Sequence, residues 1–246
     1  MKNQYVGDIG DYGKIGMLRV LQCEGFALGV NWYLTPDDNT SDGRHIEYLD
    51  KPCDVPDRDL YLALKEIIKT GRRKIAALES DRVLKDAVFF NEVLDFSKCT
   101  TINERCNVRR GWHDQARDCL KTRDLVFLDP DNGLEVKSVK PHYLRGNKYT
   151  TYQEVCDYFH DGASVIIYNH RDRSPEEKYL KRLGAFHKMD QTAAAQLLCL
   201  RFSKVSVRDY LFLIHDKHFD RIKQVLDLML ASDWECYFSY QNIQFK

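Results

Sequence analysis

The stretch DLVFLDPDNG, residues 124–133, places a short apolar run directly before a cluster of polar side chains. An uninterrupted apolar run of this length is typical of a strand that is buried on both faces of a parallel sheet. The Asp-Pro pair ends the strand, because proline cannot donate to the hydrogen-bond ladder. Asp129, Asp131 and Asn132 are therefore expected at one end of a buried strand. An ordinary Asn-Gly turn explains the same letters without any function, and both interpretations stay open at this point.

The rest of the chain alternates between helical and strand-like patterns. Helices are predicted over 15–24, 59–70, 111–121, 151–160 and 219–231, and strands over 26–34, 74–79, 87–94, 124–128 and 163–168, with a hairpin over 197–214 and an edge strand over 234–238. Parallel strands need crossover connections, and helices of this length provide them. The sequence therefore predicts a single α/β domain over 1–246, with a doubly wound, mostly parallel, Rossmann-like sheet and an antiparallel C-terminal part.

Composition excludes some classes of protein. Lys and Arg together number 37, as do Asp and Glu, so no overall basic charge indicates a nucleic-acid partner. The sequence has no apolar signal region and no stretch that approaches the roughly eighteen apolar residues of a membrane span, so we expect a cytoplasmic protein with no membrane partner. Eight cysteines form no C-x-x-C pair, which favours reduced thiols. Nothing in the sequence indicates an oligomeric state.

The carboxyl ends of the strands are the expected ligand-binding edge of such a sheet. Thr35, Glu79 and His170 follow or close the first, second and fifth predicted strands, so they are expected at this edge together with Asp129. His170 is a candidate general acid or base, and a surface histidine that hydrogen-bonds to a turn explains it equally well.

Several acidic residues are expected to converge on the same edge. They are Asp8, Asp11, Asp37, Asp38, Asp129 and Asp131. So many carboxylates are hard to keep ionised together unless a cation compensates them. Oxygen ligands of this kind suit Mg²⁺ or Mn²⁺, and these ions support the hydrolysis of phosphate esters. One interpretation is therefore a metal-dependent nuclease or phosphohydrolase.

Two groups of basic residues would support contact with nucleic acid. They are Arg105, Arg109, Arg110 and Arg117 before the 124–133 stretch, and Arg171, Arg173, Lys178, Lys181 and Arg182 after the fifth strand. Both groups are expected near the carboxyl edge of the sheet. Solvated helix faces with interleaved acids explain them equally well.

A family resemblance appears at residues 7–14, which read GDIGDYGK. This segment resembles, at identical spacing, the Gly-Asn-x-Ala-Asp-x-x-Lys segment at the start of the bacterial large-subunit rRNA adenine-N6 methyltransferases. Other features recur in the same order, namely an acid closing the second strand, Asp129-Pro130 closing the fourth, Gly162-x5-Tyr168 in the fifth, and an apolar strand at 210–214 followed by a helix. The resemblance covers most of the chain through short motifs. It implies a class I S-adenosylmethionine-dependent methyltransferase-like fold.

The resemblance also implies roles for individual residues. Glu79 would hold the ribose hydroxyls of S-adenosylmethionine, and Asp129 with the Pro130 carbonyl would grip the amine that is methylated. Asp8, Asp11 and Lys14 would lie near the cofactor.

The chain differs from the family pattern at two places. Asp131-Asn132 stands where the family has Pro-Tyr, whose aromatic ring stacks on a flipped base. Thr35-Pro36-Asp37 stands where a Gly-x-Gly turn would let the backbone approach the cofactor. An asparagine can still accept an N–H and donate to a ring nitrogen, so an amino group stays a plausible target.

Three interpretations follow. The first is a nucleic-acid-modifying enzyme that transfers a methyl group from S-adenosylmethionine to an amino group. Its catalytic candidates are Asp129, Asp131, Asn132 and His170, and its cofactor-binding candidates are Asp8, Asp11, Lys14, Thr35 and Glu79. The second is a hydrolase with Mg²⁺ or Mn²⁺ on Asp8, Asp11, Asp37, Asp129 and Asp131. The third is a non-catalytic nucleic-acid-binding protein, and the sequence does not distinguish DNA, RNA and nucleotides.

Overall fold

A computed structural model describes residues 1–37, 43–51 and 55–243. The α-helices within these ranges are α1 (Ile9–Cys23), α2 (Arg58–Lys69), α3 (Ile75–Ser80), α4 (Ile102–Leu120), α5 (Tyr152–His160), α6 (Glu176–Leu183) and α7 (Asp216–Leu230). The strands are β1 (Leu28–Asn31), β2 (Val88–Phe90), β3 (Leu125–Leu128), β4 (Gly133–Leu134), β5 (Tyr149–Thr150), β6 (Ser164–His170), β7 (Gln196–Phe202), β8 (Arg208–Ile214) and β9 (Phe238–Tyr240). None of the helices described here has the length and apolar character needed to cross a membrane.

The central sheet has the strand order β2-β1-β3-β6-β8-β7-β9. Strands β2, β1, β3 and β6 pair in parallel, whereas β8 is antiparallel to both of its neighbours and β9 is antiparallel to β7. A separate small parallel sheet joins β4 and β5. The predicted α/β, Rossmann-like sheet with an antiparallel C-terminal part is thus confirmed.

Strand β3 explains how the core is divided into two layers. Leu125 and Phe127 belong to the cluster that contains apolar residues of α1, α2 and α7, whereas Val126 and Leu128 belong to the cluster that contains those of α4 and α5. Successive side chains of a strand point to opposite faces, and both faces of this sheet are covered. All four residues are buried, which accounts for the uninterrupted apolar run in the sequence.

The prediction of a strand over 74–79 is wrong, since most of this segment forms α3. Its buried residues, Ile75, Ala77 and Leu78, lie on one face of a short helix, and a brief apolar run does not distinguish a helix from a strand by periodicity. The second strand is β2, within the predicted 87–94 segment. Glu79 therefore lies near the end of a helix and does not close a strand.

Other boundaries differ as well. The helix predicted over 111–121 is the second half of α4, which begins at a capping box formed by Thr101 and Glu104. Helix α6 lies outside the predicted helices. The predicted edge strand over 234–238 is largely a 3-10 helix, Asp233–Cys236, and β9 follows it. Every cysteine in the described part of the chain is a free thiol, as expected, and Cys53 lies outside the described residues.

Candidate functional site

A crevice of about 490 Å³ opens at the carboxyl edge of the parallel strands. It lies between the first turns of α1, the segment after β3, the end of β6 and the beginning of β8. The predicted site residues that line it are Asp8, Asp11, Lys14, Asp129, Asp131, Asn132 and His170. The carboxyl edge was the expected location, because the loops that follow parallel strands meet there.

Lys14 lies between two carboxylates in the crevice wall. Its Nζ is 2.6 Å from Asp129 Oδ2 and 2.8 Å from Asp11 Oδ1, and all three residues are buried. Helix α1 provides this arrangement, because Asp11 and Lys14 lie three residues apart and face the end of β3 from the same side. Asp8 begins the helix by accepting a hydrogen bond from the Asp11 amide.

Asp11, Lys14 and Asp129 shift one another's pKa values. Burial raises the pKa of Asp129 and of Asp11 above the usual range, although the ammonium of Lys14 opposes this effect at both carboxylates. Burial by itself would lower the pKa of Lys14, but the two adjacent carboxylates raise it instead. Lys14 is therefore held as a cation, and it keeps a buried acidic pair compensated.

Asp131 is compensated by a different set of cations. Its carboxylate lies 2.9 Å from the Met1 ammonium, 3.7 Å from Lys2 Nζ and 3.9 Å from Lys148 Nζ. Burial opposes ionisation here too, yet the neighbouring positive charges hold the pKa of Asp131 below its usual range. Asp129 and Asp131, two residues apart, are thus shifted in opposite directions by their surroundings.

The segment that carries Asn132 is fixed from both sides. The Asn132 amide donates to the Lys148 carbonyl (2.9 Å), and its carbonyl accepts from the His170 amide (3.3 Å). Gly133 has φ +98°, and a Cβ there would overlap the side chain of Asn169. The buried Asn169 in turn accepts a hydrogen bond from the Leu134 amide. The glycine is therefore required for both its backbone conformation and its close approach to Asn169.

Arg208 and Tyr168 also line the crevice, and neither was among the predicted site residues. Arg208 is the first residue of β8, and its Nε donates to the hydroxyl of Tyr168 at 3.0 Å. Because β8 is antiparallel, its first residue lies at the edge where the parallel strands end. An arginine at the start of the second strand of a hairpin gives no sequence signal of this position. Tyr168 could be noted from the sequence, as part of the fifth-strand motif and as an aromatic residue able to stack on a base near the crevice, although aromatic residues in strands more often belong to the core.

Three predicted residues lie outside the crevice lining. Glu79 accepts hydrogen bonds from Trp32 Nε1 (3.0 Å) and Asn91 Nδ2 (2.9 Å), so each of its carboxylate oxygens has a partner. Thr35 is buried, and its hydroxyl is 3.4 Å from Asp131 Oδ2. Asp37 is exposed and accepts from the backbone of Asn3. Asp38 lies outside the described residues.

The acids of the crevice do not form a site of the kind predicted for Mg²⁺ or Mn²⁺. Among residues 1–37, 43–51 and 55–243, no group of three or more His, Cys, Asp or Glu side chains is arranged to hold a metal ion. Each acid instead lies near a basic group of the chain, as described for Lys14 and Asp131 above. Asp8, the remaining acid, lies 3.9 Å from Arg208 Nη2. The compensation that suggested a metal is thus provided by the protein itself.

The first predicted basic group does not form a free cationic face. Arg109 is buried and pairs with Glu154 at 2.7 Å, and Arg105 donates to the carbonyls of His142 and Cys99. Arg117 pairs with Asp161, which lies before β6 and hence at the opposite end of the sheet. The expectation that this whole group lies near the carboxyl edge is therefore wrong.

The second basic group is only partly exposed. Arg171 packs over the ring of Tyr179 at 4.3 Å, and Arg182 lies 3.1 Å from Asp172. The exposed members of the two groups are Arg110, Arg173, Lys178 and Lys181.

Comparison of the chain with models of protein families, with curated proteins and with solved structures gives no significant match.

Proposed function

We propose that the protein is an enzyme that methylates an amino group of a nucleic acid or nucleotide in the crevice beside Asp129. The observation that carries the proposal is the 2.6 Å contact between Lys14 Nζ and Asp129 Oδ2. These residues belong to the two motifs, GDIGDYGK and Asp-Pro, that carry the resemblance to the rRNA adenine methyltransferases. Their contact brings the two motifs together in one crevice, which supports the proposal.

The side chains after β3 are suited to bind an amino group. A carboxylate accepts N–H donors, and Asp129 has the Lys14 ammonium beside it to oppose the effect of burial on its ionisation. The side-chain amide of Asn132 both donates and accepts, so it can recognise an amine and an adjacent ring nitrogen together. In the proposed role, Asp129 orients the amine and Asn132 selects it.

The fit to S-adenosylmethionine is partial. This cofactor supplies the methyl group when it is bound, and Asp8, Asp11 and Lys14 line the crevice as expected for residues near it. Glu79, the expected ribose ligand, lies outside the crevice lining and is bonded to Trp32 and Asn91. Glu79 therefore does not fit the ribose-binding role that the resemblance implies for it.

Isothermal titration of the purified protein with S-adenosylmethionine tests the proposal. Micromolar binding is expected, and methyl transfer is then measured with a labelled methyl donor on RNA, DNA and nucleotides. Asp129→Asn is expected to retain cofactor binding and to lose at least about a hundredfold in transfer, an effect of the size produced by removing a positioned catalytic group. Asp81→Asn, which alters an exposed ion pair with Arg72, serves as the matched control.

The outcomes separate the three classes of function. A wild-type protein that binds no S-adenosylmethionine contradicts the methyltransferase proposal. Binding of Mn²⁺ in metal-free buffer, with chelator-sensitive hydrolysis of nucleic acid, would favour the hydrolase. Nucleic-acid binding without either activity would favour a binding protein. Glu79→Gln tests whether Glu79 binds the ribose of the cofactor. If the folded variant no longer binds S-adenosylmethionine, Glu79 does have this role, although its hydrogen bonds to Trp32 and Asn91 argue against it.

A further inference from the structure

The guanidinium of Arg208 forms part of the crevice wall and is held in a fixed orientation. The residue is only 7% exposed. Its Nε donates to Tyr168, and its guanidinium carbon lies 5.8 Å from the ring centre of Phe202. A buried arginine with this support presents its remaining N–H groups in a defined plane.

Gly10 allows the guanidinium to lie directly against helix α1. A Cβ at position 10 would be 2.7 Å from Arg208 Cζ and 2.9 Å from its Nη1. No side chain larger than hydrogen fits there unless Arg208 moves. The glycine in the first turn of α1 and the arginine at the start of β8 are thus packed against each other in the crevice wall.

Nη1 of Arg208 is buried and has no hydrogen-bond partner among the described residues. Within the described part of the chain, Asp8 forms a long ion pair with this side chain. Its Oδ2 is 3.9 Å from Nη2, a distance too long for a hydrogen bond. An unsatisfied, charged donor in a buried position is costly, and such groups are rare in native proteins. The arginine therefore has hydrogen-bonding capacity that residues 1–37, 43–51 and 55–243 do not use.

The charges around the crevice favour an anion as the missing partner. Asp11 and Asp129 share Lys14, while Asp131 has Lys2 and Lys148 nearby. These three carboxylates are compensated by other cations and do not require Arg208. Asp8, at 3.9 Å from Nη2, offsets part of the charge of Arg208 but is too far away to accept a hydrogen bond from it. Arg44 adds a further positive charge to the crevice lining.

We infer that Arg208 binds a phosphate group of the substrate. The inference rests on the proposed function, since it assigns the two ends of a nucleotide to one crevice, with the base amine at Asp129 and Asn132 and the phosphate at Arg208. A guanidinium matches the geometry of phosphate oxygens and can bind two of them at once. The volume of about 490 Å³ is in the range of sites that bind small molecules.

Matched pairs of ligands test the inference. Binding of AMP and adenosine, and of CMP and cytidine, is measured by titration against the full chain. The wild-type protein is expected to prefer each phosphorylated ligand by roughly tenfold or more, the ratio expected for a hydrogen bond to a charged group. Arg208→Gln removes the charge and should abolish this preference.

Gly10→Ala provides an independent test that leaves the charge in place. Its added methyl group displaces the guanidinium, so the phosphate preference should fall as it does in Arg208→Gln. Alanine forms helices better than glycine, so a lower phosphate preference in Gly10→Ala should not result from unfolding. Thermal unfolding of each variant checks that it is folded. Arg110→Gln, at an exposed position on α4, is the control and should keep the preference.

Some results would decide the role of Arg208 whether or not the protein transfers methyl groups. Equal affinity for nucleotide and nucleoside in the wild type, or a phosphate preference that survives in Arg208→Gln, overturns it. A loss of S-adenosylmethionine affinity in Arg208→Gln, with nucleotide affinity unchanged, also overturns it, because the anion would then be the carboxylate of the cofactor. Nucleotide binding that depends on Arg208 supports it even if no methyl transfer is found.

Discussion

Lys14 Nζ and Asp129 Oδ2 lie 2.6 Å apart, although 115 residues separate them in the chain. The pair joins the first helix to the end of the third strand inside the crevice, and the second carboxylate on the lysine, Asp11, is three residues before it on the helix. One buried ammonium thus serves two buried acids. Removing it should affect stability and pH dependence together.

Lys14→Met keeps the shape of the side chain but leaves both acids without their cation. We expect a loss of about 3–5 kcal/mol in the free energy of unfolding at pH 7, as found when one partner of a buried ion pair is removed. With burial no longer opposed, the pKa values of Asp11 and Asp129 should rise further. The folded variant then takes up protons at these carboxyls as the pH falls, so its stability relative to the wild type should increase from pH 7 towards pH 5.

Lys223→Met is the matched control for Lys14→Met. Lys223 also lies 2.6 Å from a carboxylate, that of Asp227, but its side chain is 40% exposed. Its removal should cost no more than about 1 kcal/mol. Urea unfolding at pH 5 and pH 7 measures both variants, and equal losses would contradict the account of Lys14.

The ion pair of Arg109 and Glu154 predicts a second stability effect. Burial opposes ionisation of Glu154, but Arg109 at 2.7 Å holds its pKa below the usual value of 4.5. Glu154→Gln leaves the arginine buried without a counter-charge and should cost about 3–5 kcal/mol at pH 7. Asp161→Asn, in the more exposed pair with Arg117, should cost about 1 kcal/mol or less.

The same pair contributes to acid unfolding of the wild type. A lowered pKa in the folded state means that the contribution of Glu154 is complete above the unfolded pKa and is lost as the pH falls through the folded value. The stability of Glu154→Gln should therefore fall less steeply below pH 4.5 than that of the wild type. Parallel curves for the two proteins would show that the pair does not contribute as described.

Gly133→Ala should destabilise the protein by about 2–3 kcal/mol, because it combines an unfavourable φ with overlap on Asn169. Gly162→Ala isolates the backbone effect, since Gly162 has φ +99° and no atom within 4 Å of the added Cβ. It should cost only about 1 kcal/mol. Thermal unfolding compares the two variants, and a similar cost would mean that contact with Asn169 adds nothing.

A histidine pair at the amino end of the sheet predicts a pH dependence near neutrality. Ser164 Oγ accepts a hydrogen bond from the His215 amide and is also hydrogen-bonded to His218 Nδ1 at 2.9 Å. Burial lowers the pKa of both histidines below 6.5. The unfolded chain then binds more protons below that pH, and stability should fall as the pH decreases from 7 to 5.

His218→Gln keeps an acceptor for Ser164 and removes one titrating group. Its free energy of unfolding should change less between pH 7 and pH 5 than that of the wild type. His160→Gln, at an exposed position, should leave the wild-type pH dependence intact. A wild-type slope in His218→Gln would show that His218 is not responsible.

The sheet could be predicted from the sequence because its strands carry local signals. The residues of β3 and β6 form apolar runs that follow helical patterns, and Asp129-Pro130 marks where the chain leaves the sheet. The segment at 74–79 lacked such a signal, since four consecutive apolar residues between charged ones fit a helix as well as a strand. The start of α4 did carry one, in the Thr101 and Glu104 capping box.

The electrostatics of the crevice could not be predicted in the same way. The acids are visible as letters near strand ends, but the cations that compensate them come from distant parts of the chain. Lys148 reaches Asp131 from the end of a 3-10 helix that precedes β5, and Arg208 reaches Asp8 from the C-terminal hairpin. Such pairings depend on the tertiary structure and leave no local pattern in the sequence. The site therefore looks acidic in the sequence, whereas in the structure cations of the chain compensate its negative charge.

One wall of the crevice is formed by the β7–β8 hairpin, because β8 runs antiparallel to the other strands at this edge. The other walls are formed by helix α1 and by the ends of parallel strands. Loops that follow parallel strands are tied to crossover helices, and lengthening one of them disturbs the packing of its helix. The turn at 203–207 only joins β7 to β8, and it opens on the same edge. An insertion between Phe202 and Arg208 would therefore reshape the entrance and alter selectivity while leaving the helices, strand order and core unchanged. The hairpin turn is the part of this architecture in which new specificity can be introduced with the least structural cost.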